Sequence, residues 1–369
     1  MLIAIDASPL FRRRGGIGLY TYHLVKNLIR IDQDNEYLLY TTTLSDEGEK
    51  APTWINRHVQ VIRTPKVLIG WRSLWDRIDL YHGTNFRLPV SGSYRKIVTI
   101  YDMALARFPE FSRKLFGEHW SFLRTRRTAQ RADQVITVSQ HAAKEIQELF
   151  EIPRERIAVI YGGVDEGFFP EPDPIRFAVL RERYGIHTDA YILAVGGSDP
   201  RKNLKTLLEA YDRLPAIQQR YTLVVVGGMR WQSEEIYERI STFKLQQRVV
   251  LTGYVSVADL RILYSIAALL VYPSLYEGFG LPPLEAMACG CPVLTSKSAS
   301  IPEVVGDAAT MVDPLDVQGL ATAIEQIVTD HQLREGLRVK GFERVKCFSW
   351  EKTARETLAI YHQVAARDG

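Results

Sequence analysis

Short, continuously apolar runs alternate along the chain with segments whose apolar residues recur every three or four positions. In the first half the runs fall at 2–6, 36–41, 79–81, 96–100, 134–138 and 157–161, with helical spacing over 17–31, 112–131 and 140–150. In the second half they fall at 191–195 (YILAV), 222–226 (TLVVV), 248–251, 268–272 (ALLVY) and 292–295. Helical spacing there covers 203–213, 233–243, 256–266, 282–289 and 316–329. A strand that is apolar on both faces needs cover on both, so the alternation predicts parallel sheets layered between helices. Because the pattern runs twice, it predicts an α/β protein with two doubly wound, Rossmann-like domains.

Residues 167–175, GFFPEPDPI, interrupt the alternation with three prolines and two acids. Proline continues neither a central strand nor a helix interior, so the linker is expected there. This gives domains 1–170 and 171–349, followed by a helix within 350–369 that packs either on its own domain or back on the first. Open α/β sheets bind ligands beyond the carboxyl ends of their strands, so a cleft between the domains is the expected ligand site.

Composition narrows the class without changing this picture. The 369 residues are 46% hydrophobic and 24% charged, as in an ordinary globular protein. Three cysteines are too few for a disulfide framework, and the start of the chain lacks a signal-peptide pattern. A soluble protein of the cytoplasm is expected. Residues 1–170 hold 24 Lys and Arg against 19 Asp and Glu, much of the excess in 113–131. There Arg113, Lys114, Arg124, Arg126, Arg127 and Arg131 face one acid, Glu118, with Leu115, Phe116, Trp120 and Phe122 among them. Nucleic-acid binding calls for a stronger bias and a recognised module. Peripheral contact with an anionic membrane at its inner face fits this helix, as does a buried face with a solvated basic side.

The chemistry concentrates in two segments of the second half. In 271–292, VYPSLYEGFGLPPLEAMACGCP, an apolar strand ends at Pro273, a glycine-rich turn follows, and Pro282-Pro283 opens a helix. Free N–H groups at a helix start attract anions, and Gly278 and Gly280 let a ligand approach the backbone. Glu277 and Glu285 beside an anion site suit the hydroxyls of a sugar and a ribose attached to a phosphate; either glutamate alone reads as a solvated turn residue. In 195–203, VGGSDPRKN, Gly196-Gly197 follows a strand, and Arg201 and Lys202 follow a turn. These cations suit a diphosphate and the charge that grows as it leaves. Gly15-Gly16-Ile17-Gly18 lies between the first strand and a helix, but Thr21 stands where a dinucleotide fingerprint has its third glycine. That loop fits tight packing and ligand contact equally. Cys289-Gly-Cys291 has poor spacing for zinc.

Taken together, EGFGLPPLE at 277–285, GGSDPRKN at 196–203 and IPEVVGDAA at 301–309 resemble glycosyltransferase family 4, the retaining nucleotide-sugar enzymes of the GT-B fold. The resemblance spans essentially the whole chain. It implies that Arg201 and Lys202 bind the donor diphosphate and that Glu277 holds the transferred sugar. Gly278, Phe279 and Gly280 would present backbone N–H groups to the sugar and phosphates, and Leu281, Gly196 and Gly197 are further donor-binding candidates. Glu285 would take the ribose, and Gly15 and Gly16 would close over the phosphates. It further implies front-face attack, with the leaving phosphate taking the acceptor's proton, and neither metal nor other cofactor. Many relatives carry His-Asp where this chain has Tyr101-Asp102; with His82 these are the acceptor-side candidates, and Asp102 joins Glu277, Arg201 and Lys202 as catalytic candidates. The resemblance, especially to bacterial mannosyltransferases of polysaccharide and O-antigen assembly, implies transfer of mannose from GDP-mannose to a glycan or polyprenyl-linked acceptor. A nucleotide-sugar 2-epimerase or hydrolase and a non-catalytic sugar-nucleotide-binding subunit are the alternatives.

Overall fold

The computed structural model describes residues 1–11, 15–41, 58–65, 76–89, 92–108, 118–188, 190–229 and 233–367. The chain divides into unit 1, Met1–Gly163 with Ser349–Gly369, and unit 2, Val164–Phe348.

Unit 1 is built on seven strands, β1 (Leu2–Asp6), β2 (Glu36–Thr41), β3 (Val59–Arg63), β4 (Leu80–Gly83), β5 (Arg95–Thr99), β6 (Gln134–Thr137) and β7 (Ile157–Val159). Their order is β3-β2-β1-β4-β5-β6-β7 and every pair is parallel. Connections therefore reverse direction at β1 and β4, where a doubly wound sheet leaves its loops splayed. Val98, Ile100, Val135, Ile146 and Phe150 form one buried cluster; Ala4, Leu38, Tyr40, Tyr81 and Tyr94 form another. The final helix, Trp350–Ala365, lies on the helix Gly16–Ile31: Trp350 stacks on His23 at 5.0 Å and meets Tyr20 edge-on at 5.5 Å.

Unit 2 carries β8 (Tyr191–Val195), β9 (Thr222–Val226), β10 (Val249–Gly253), β11 (Leu269–Tyr272), β12 (Val293–Ser296) and β13 (Thr310–Val312). The order β10-β9-β8-β11-β12-β13 is again all parallel, with the reversal at β8 and β11. Strand residues Ile192, Leu223, Val225, Leu269 and Leu294 share a core with Leu207, Leu208, Leu320, Ile324 and Ile327 from the covering helices.

Where the elements depart from the periodicity reading, burial explains it. β3 and β13 are edge strands with mostly part-exposed residues, so neither is an apolar run. The helix His331–Val345 buries only Leu337 and Gly341, which leaves no stripe to detect. The proline-rich stretch runs directly into a helix, Pro174–Tyr184: Asp173 caps it by accepting from the N–H groups of Ile175 and Arg176, and Pro174 sits in its first turn, where a missing N–H costs little. Among the described residues no helix is long and apolar enough to cross a membrane.

Candidate functional site

In unit 2 the polar groups gather at the carboxyl edge of the sheet. β8 ends in Gly196-Gly197 and a 3-10 turn, Pro200–Lys202; β11 ends at Tyr272 and leads through the glycine turn into the helix Leu281–Ala288. Being neighbours at the order reversal, the two loops bond to each other. Leu275 N–H donates to the Arg201 carbonyl at 2.8 Å, and Asn203 Nδ2 donates to the Pro273 carbonyl at 3.2 Å.

This brings together two residues 75 positions apart in sequence, with Lys202 Nζ 2.7 Å from Glu277 Oε1. The same oxygen accepts from Ser274 Oγ at 2.6 Å and from Tyr272 OH at 2.8 Å, while Lys202 Nζ also donates to Tyr272 OH at 2.5 Å. Glu277 Oε2 meets no donor among the described residues. Burial works against the ammonium, but the Glu277 carboxylate and Tyr272 outweigh it and hold Lys202 above the usual lysine range. Gly196 explains the lysine's course: it sits at φ +126°, and a Cβ there would run into the Lys202 stem.

Arg201 is placed differently from its neighbour. Its Nη2 and Nε grip Asp199 Oδ2 and Oδ1 at 2.8 and 3.2 Å, and despite burial this pairing keeps the Asp199 carboxyl below its ordinary value. The structure thus joins Lys202, not Arg201, to Glu277.

The backbone donors without an acceptor lie at Gly278–Leu281, rather than further along the helix. Pro282 and Pro283 have no N–H, which removes two of the four donors a helix start normally offers. The N–H groups of Gly278, Gly280 and Leu281 have no acceptor among the described residues. Gly280 adopts φ +115°, and the Ser300 hydroxyl lies 2.9 Å from both the Glu277 and Phe279 carbonyls, clipping the turn from outside. Glu285 is partly buried and accepts from Tyr264 OH at 3.2 Å. Burial raises its carboxyl to about 7, with the Asp165 charge adding, against the Tyr264 bond and the Lys202 charge.

Unit 1 holds the acceptor-side candidates and the glycine loop. His82 is fully buried, with Nδ1 2.6 Å from Tyr361 OH and Nε2 2.7 Å from Thr99 Oγ1, and burial lowers it to about 3. The structure places His82, an acceptor-side candidate, in the core of unit 1, where it holds the last helix to the sheet. Tyr101 is also buried, donating to the Thr84 carbonyl at 2.7 Å and packing edge-on against Tyr20 at 5.0 Å. Asp102 accepts from Ala104 N–H at 3.0 Å and lines a cavity of about 150 Å³. Asn85, Arg87 and Arg124 add polar groups to that cavity, and Phe86, Met103 and Phe122 give it apolar walls. Gly15 and Gly16 begin the first helix, and a Cβ on either would meet nothing within 4 Å among the described residues.

In the helix Glu118–Arg131, Phe122 packs inward against Phe150 at 5.3 Å and Arg126 pairs with Glu151 at 2.5 Å, while Arg124 and Arg127 are exposed. Phe122 is therefore partly buried against the core of unit 1; Arg113, Lys114, Leu115, Phe116 and the Trp120 side chain lie outside the described residues. Cys289 and Cys291 are buried thiols, Cys289 pushed by burial to about 12. Among the described residues no cluster of three or more His, Cys, Asp or Glu forms a metal site.

Sequence reasoning did not single out Tyr272, Ser274, Asp199, Tyr264 or Ser300. Tyr272 and Ser274 stand within the quoted segment 271–292, and their proximity to Glu277 in sequence was the one available signal.

The family model "Glycosyl transferases group 1" matches residues 177–344, and "Glycosyltransferase Family 4" matches residues 14–168. The chain is 31% identical to the O-antigen chain mannosyltransferase B of Escherichia coli, over 98% of this chain and 99% of the relative. Among solved structures, sucrose-phosphate synthase of Thermosynechococcus elongatus superposes with a TM-score of 0.81 at 22% identity, covering 99% of each chain. Anabaena Alr3699/HepE, solved with UDP-glucose, gives 0.76 at 19% identity, over 98% of this chain and 99% of its own.

Proposed function

The chain belongs to glycosyltransferase family 4 and is a glycosyltransferase of GT-B architecture, and on that premise we propose that it transfers mannose from GDP-mannose, with retention of configuration, to a growing O-antigen-type glycan on a polyprenyl-linked acceptor. The observation that carries this reading is the Lys202–Glu277 cluster at the loops of β8 and β11, a cation and a carboxylate beside a turn of unengaged backbone N–H groups. The likeness to a relative named as an O-antigen mannosyltransferase supports mannose and the glycan.

In this mechanism Lys202 exchanges part of its bond to Glu277 for a β-phosphate oxygen, and the N–H groups of Gly278, Gly280 and Leu281 point at the same charge. Glu277 Oε2 accepts from a sugar hydroxyl and orients the ring. The bond from the anomeric carbon to the β-phosphate oxygen breaks as the acceptor oxygen attacks the same face. The acceptor's proton passes to the departing phosphate, which leaves as GDP. Charge grows on that phosphate in the transition state, where a preorganised cation contributes most. Glu285 takes the ribose hydroxyls, and the chemistry asks for neither metal nor other cofactor. Asp102, with Asn85 and Arg124 around it, receives the acceptor sugar in unit 1. Exposed Arg124 and Arg127 face the anionic lipid surface that holds the acceptor.

Incubation with labelled GDP-mannose or UDP-glucose, with and without a lipid-linked mannoside, tests the assignment. Label should enter the acceptor from GDP-mannose with α configuration. Isomerisation or hydrolysis at the same rate without acceptor would overturn it.

A further inference from the structure

Three hydroxyls run along one side of β11 and the glycine turn and take up their carbonyl groups in order. Thr295 Oγ1 donates to the Tyr272 carbonyl at 2.8 Å, Ser296 Oγ to the Ser274 carbonyl at 2.6 Å, and Ser300 Oγ lies 2.9 Å from both the Glu277 and Phe279 carbonyls. All three side chains are fully buried. β11 and β12 pair only as far as Tyr272 and Thr295, so from there on the hydroxyls stand in for the N–H donors of the ladder. Ser300 follows Ala299, which adopts φ +50°, a left-handed conformation that alanine keeps only when its surroundings hold it there. The next residue, Ile301, lies so close under the turn that a Cβ on Gly280 would be 2.7 Å from its Cδ1.

In a trans peptide the C=O of one residue and the N–H of the next point in opposite directions across one rigid plane, so fixing a carbonyl fixes the N–H that follows it. The Glu277 carbonyl shares its plane with Gly278 N–H, and the Phe279 carbonyl shares its plane with Gly280 N–H. These are two of the N–H groups that have no acceptor among the described residues. The other two hydroxyls have no such reach. The Tyr272 carbonyl is followed by Pro273, which has no N–H, and the Ser274 carbonyl by Leu275, whose N–H is spent on the Arg201 carbonyl at 2.8 Å. Ser300 alone of the three holds peptide planes whose N–H groups are unengaged, and it holds them from the side opposite to those groups. Each plane ends in a glycine, so without the clip it would rotate against little steric resistance.

We infer that Ser300 is a positioning residue for the donor phosphates: its hydroxyl aims the N–H groups of Gly278 and Gly280 at the charge the turn receives. This rests on the reading of Lys202 and the glycine turn as the diphosphate site. Ser300 is itself buried and acts only through two peptide groups, whose direction it sets before the ligand arrives. A dipole held in advance stabilises developing charge without reorganising, which is where such a group contributes most.

Calorimetry with inorganic pyrophosphate, paired with thermal unfolding, on the wild type and on Ser300→Ala, Thr295→Val and Lys202→Met tests this. Ser300→Ala should weaken pyrophosphate binding about tenfold, the lower end for losing a hydrogen bond to a charged group. Thr295→Val removes an equally buried hydroxyl whose carbonyl precedes a proline. It should lower the melting temperature much as Ser300→Ala does and leave the affinity unchanged. If Ser300→Ala does not fold, Ser300→Cys, a weaker donor of nearly the same shape, takes its place and should bind at least about threefold more weakly than wild type. Wild-type affinity in the folded Ser300 variant, or the same loss in Thr295→Val, would overturn the positioning role. Lys202→Met binding pyrophosphate as well as wild type would instead overturn the diphosphate site beneath it.

Discussion

At the carboxyl end of β4, His82 has both ring nitrogens engaged, by Tyr361 and Thr99, and no exposed surface. Beyond the carboxyl end of β11, Glu277 gives one oxygen to Lys202, Tyr272 and Ser274 and leaves the other without a protein donor among the described residues. Both sites lie at the carboxyl end of a central strand in a doubly wound parallel sheet, and both assemble residues distant in sequence. They differ in whether the polar atoms are exhausted inside the protein. A histidine whose two nitrogens are satisfied in the core stabilises the fold; a carboxylate with a spare oxygen beside a cation and unengaged N–H groups has capacity left for a ligand. A position at a strand end therefore nominates a residue, and its remaining hydrogen-bonding capacity decides between the two roles.

The largest expected effect breaks the unit 2 cluster. Lys202→Met or Glu277→Gln should lower kcat/KM by about 10²–10³-fold, the range seen on removing one preorganised group that stabilises developing charge. His82→Gln should leave turnover per folded molecule unchanged. Equal losses in turnover would erase the contrast between the sites.

Next comes the pH dependence of stability, which should have opposite sign at the two sites. His82 falls from an ordinary 6.5 to about 3 because it is buried. Between those values the unfolded chain holds a proton that the folded chain does not, so acidification through this window destabilises by up to about 1.4 kcal/mol per pH unit. Glu285 rises from 4.5 to about 7, again through burial. The folded chain keeps that proton longer, so stability falls as pH rises from 4.5 to 7, by less per unit because the residue is partly exposed. Denaturant titrations across pH 4–8 should show His82→Gln flattening the acid limb at a cost of about 1–3 kcal/mol near neutrality, from the hydroxyls left poorly partnered. Glu285→Gln should flatten the opposing slope. Profiles parallel to wild type in both variants would remove the contrast.

The smallest effect concerns the basic helix. Exchanging Arg124, Arg126 and Arg127 for Gln should reduce co-sedimentation with anionic liposomes a few-fold at low salt, and less at physiological ionic strength. Equal pelleting would show that this side is merely solvated.

The fold was largely legible because central strands of a parallel sheet are apolar on both faces, and runs such as 191–195, 222–226 and 268–272 have little alternative use. β3, β13 and the helix His331–Val345 escaped notice for the complementary reason, since elements half in solvent bear a weak pattern. At the site, glycine and proline spacing around 196–203 and 277–285 marked both loops. The partner of each side chain was not marked. Arg201 and Lys202 are adjacent and alike in charge, yet one is held by Asp199 and the other reaches Glu277.

The amino-acid sequence by itself determined two sets of buried parallel strands, the loops at their ends and the family to which those loops belong. These follow from local chemistry: burial periodicity, glycine's conformational range and proline's missing donor. Tertiary structure alone decided that Lys202 meets Glu277 and that His82 is consumed by Tyr361. Each depends on groups 75 or 279 positions apart reaching hydrogen-bonding distance, and no local pattern encodes which polar atoms remain unsatisfied once the chain has closed.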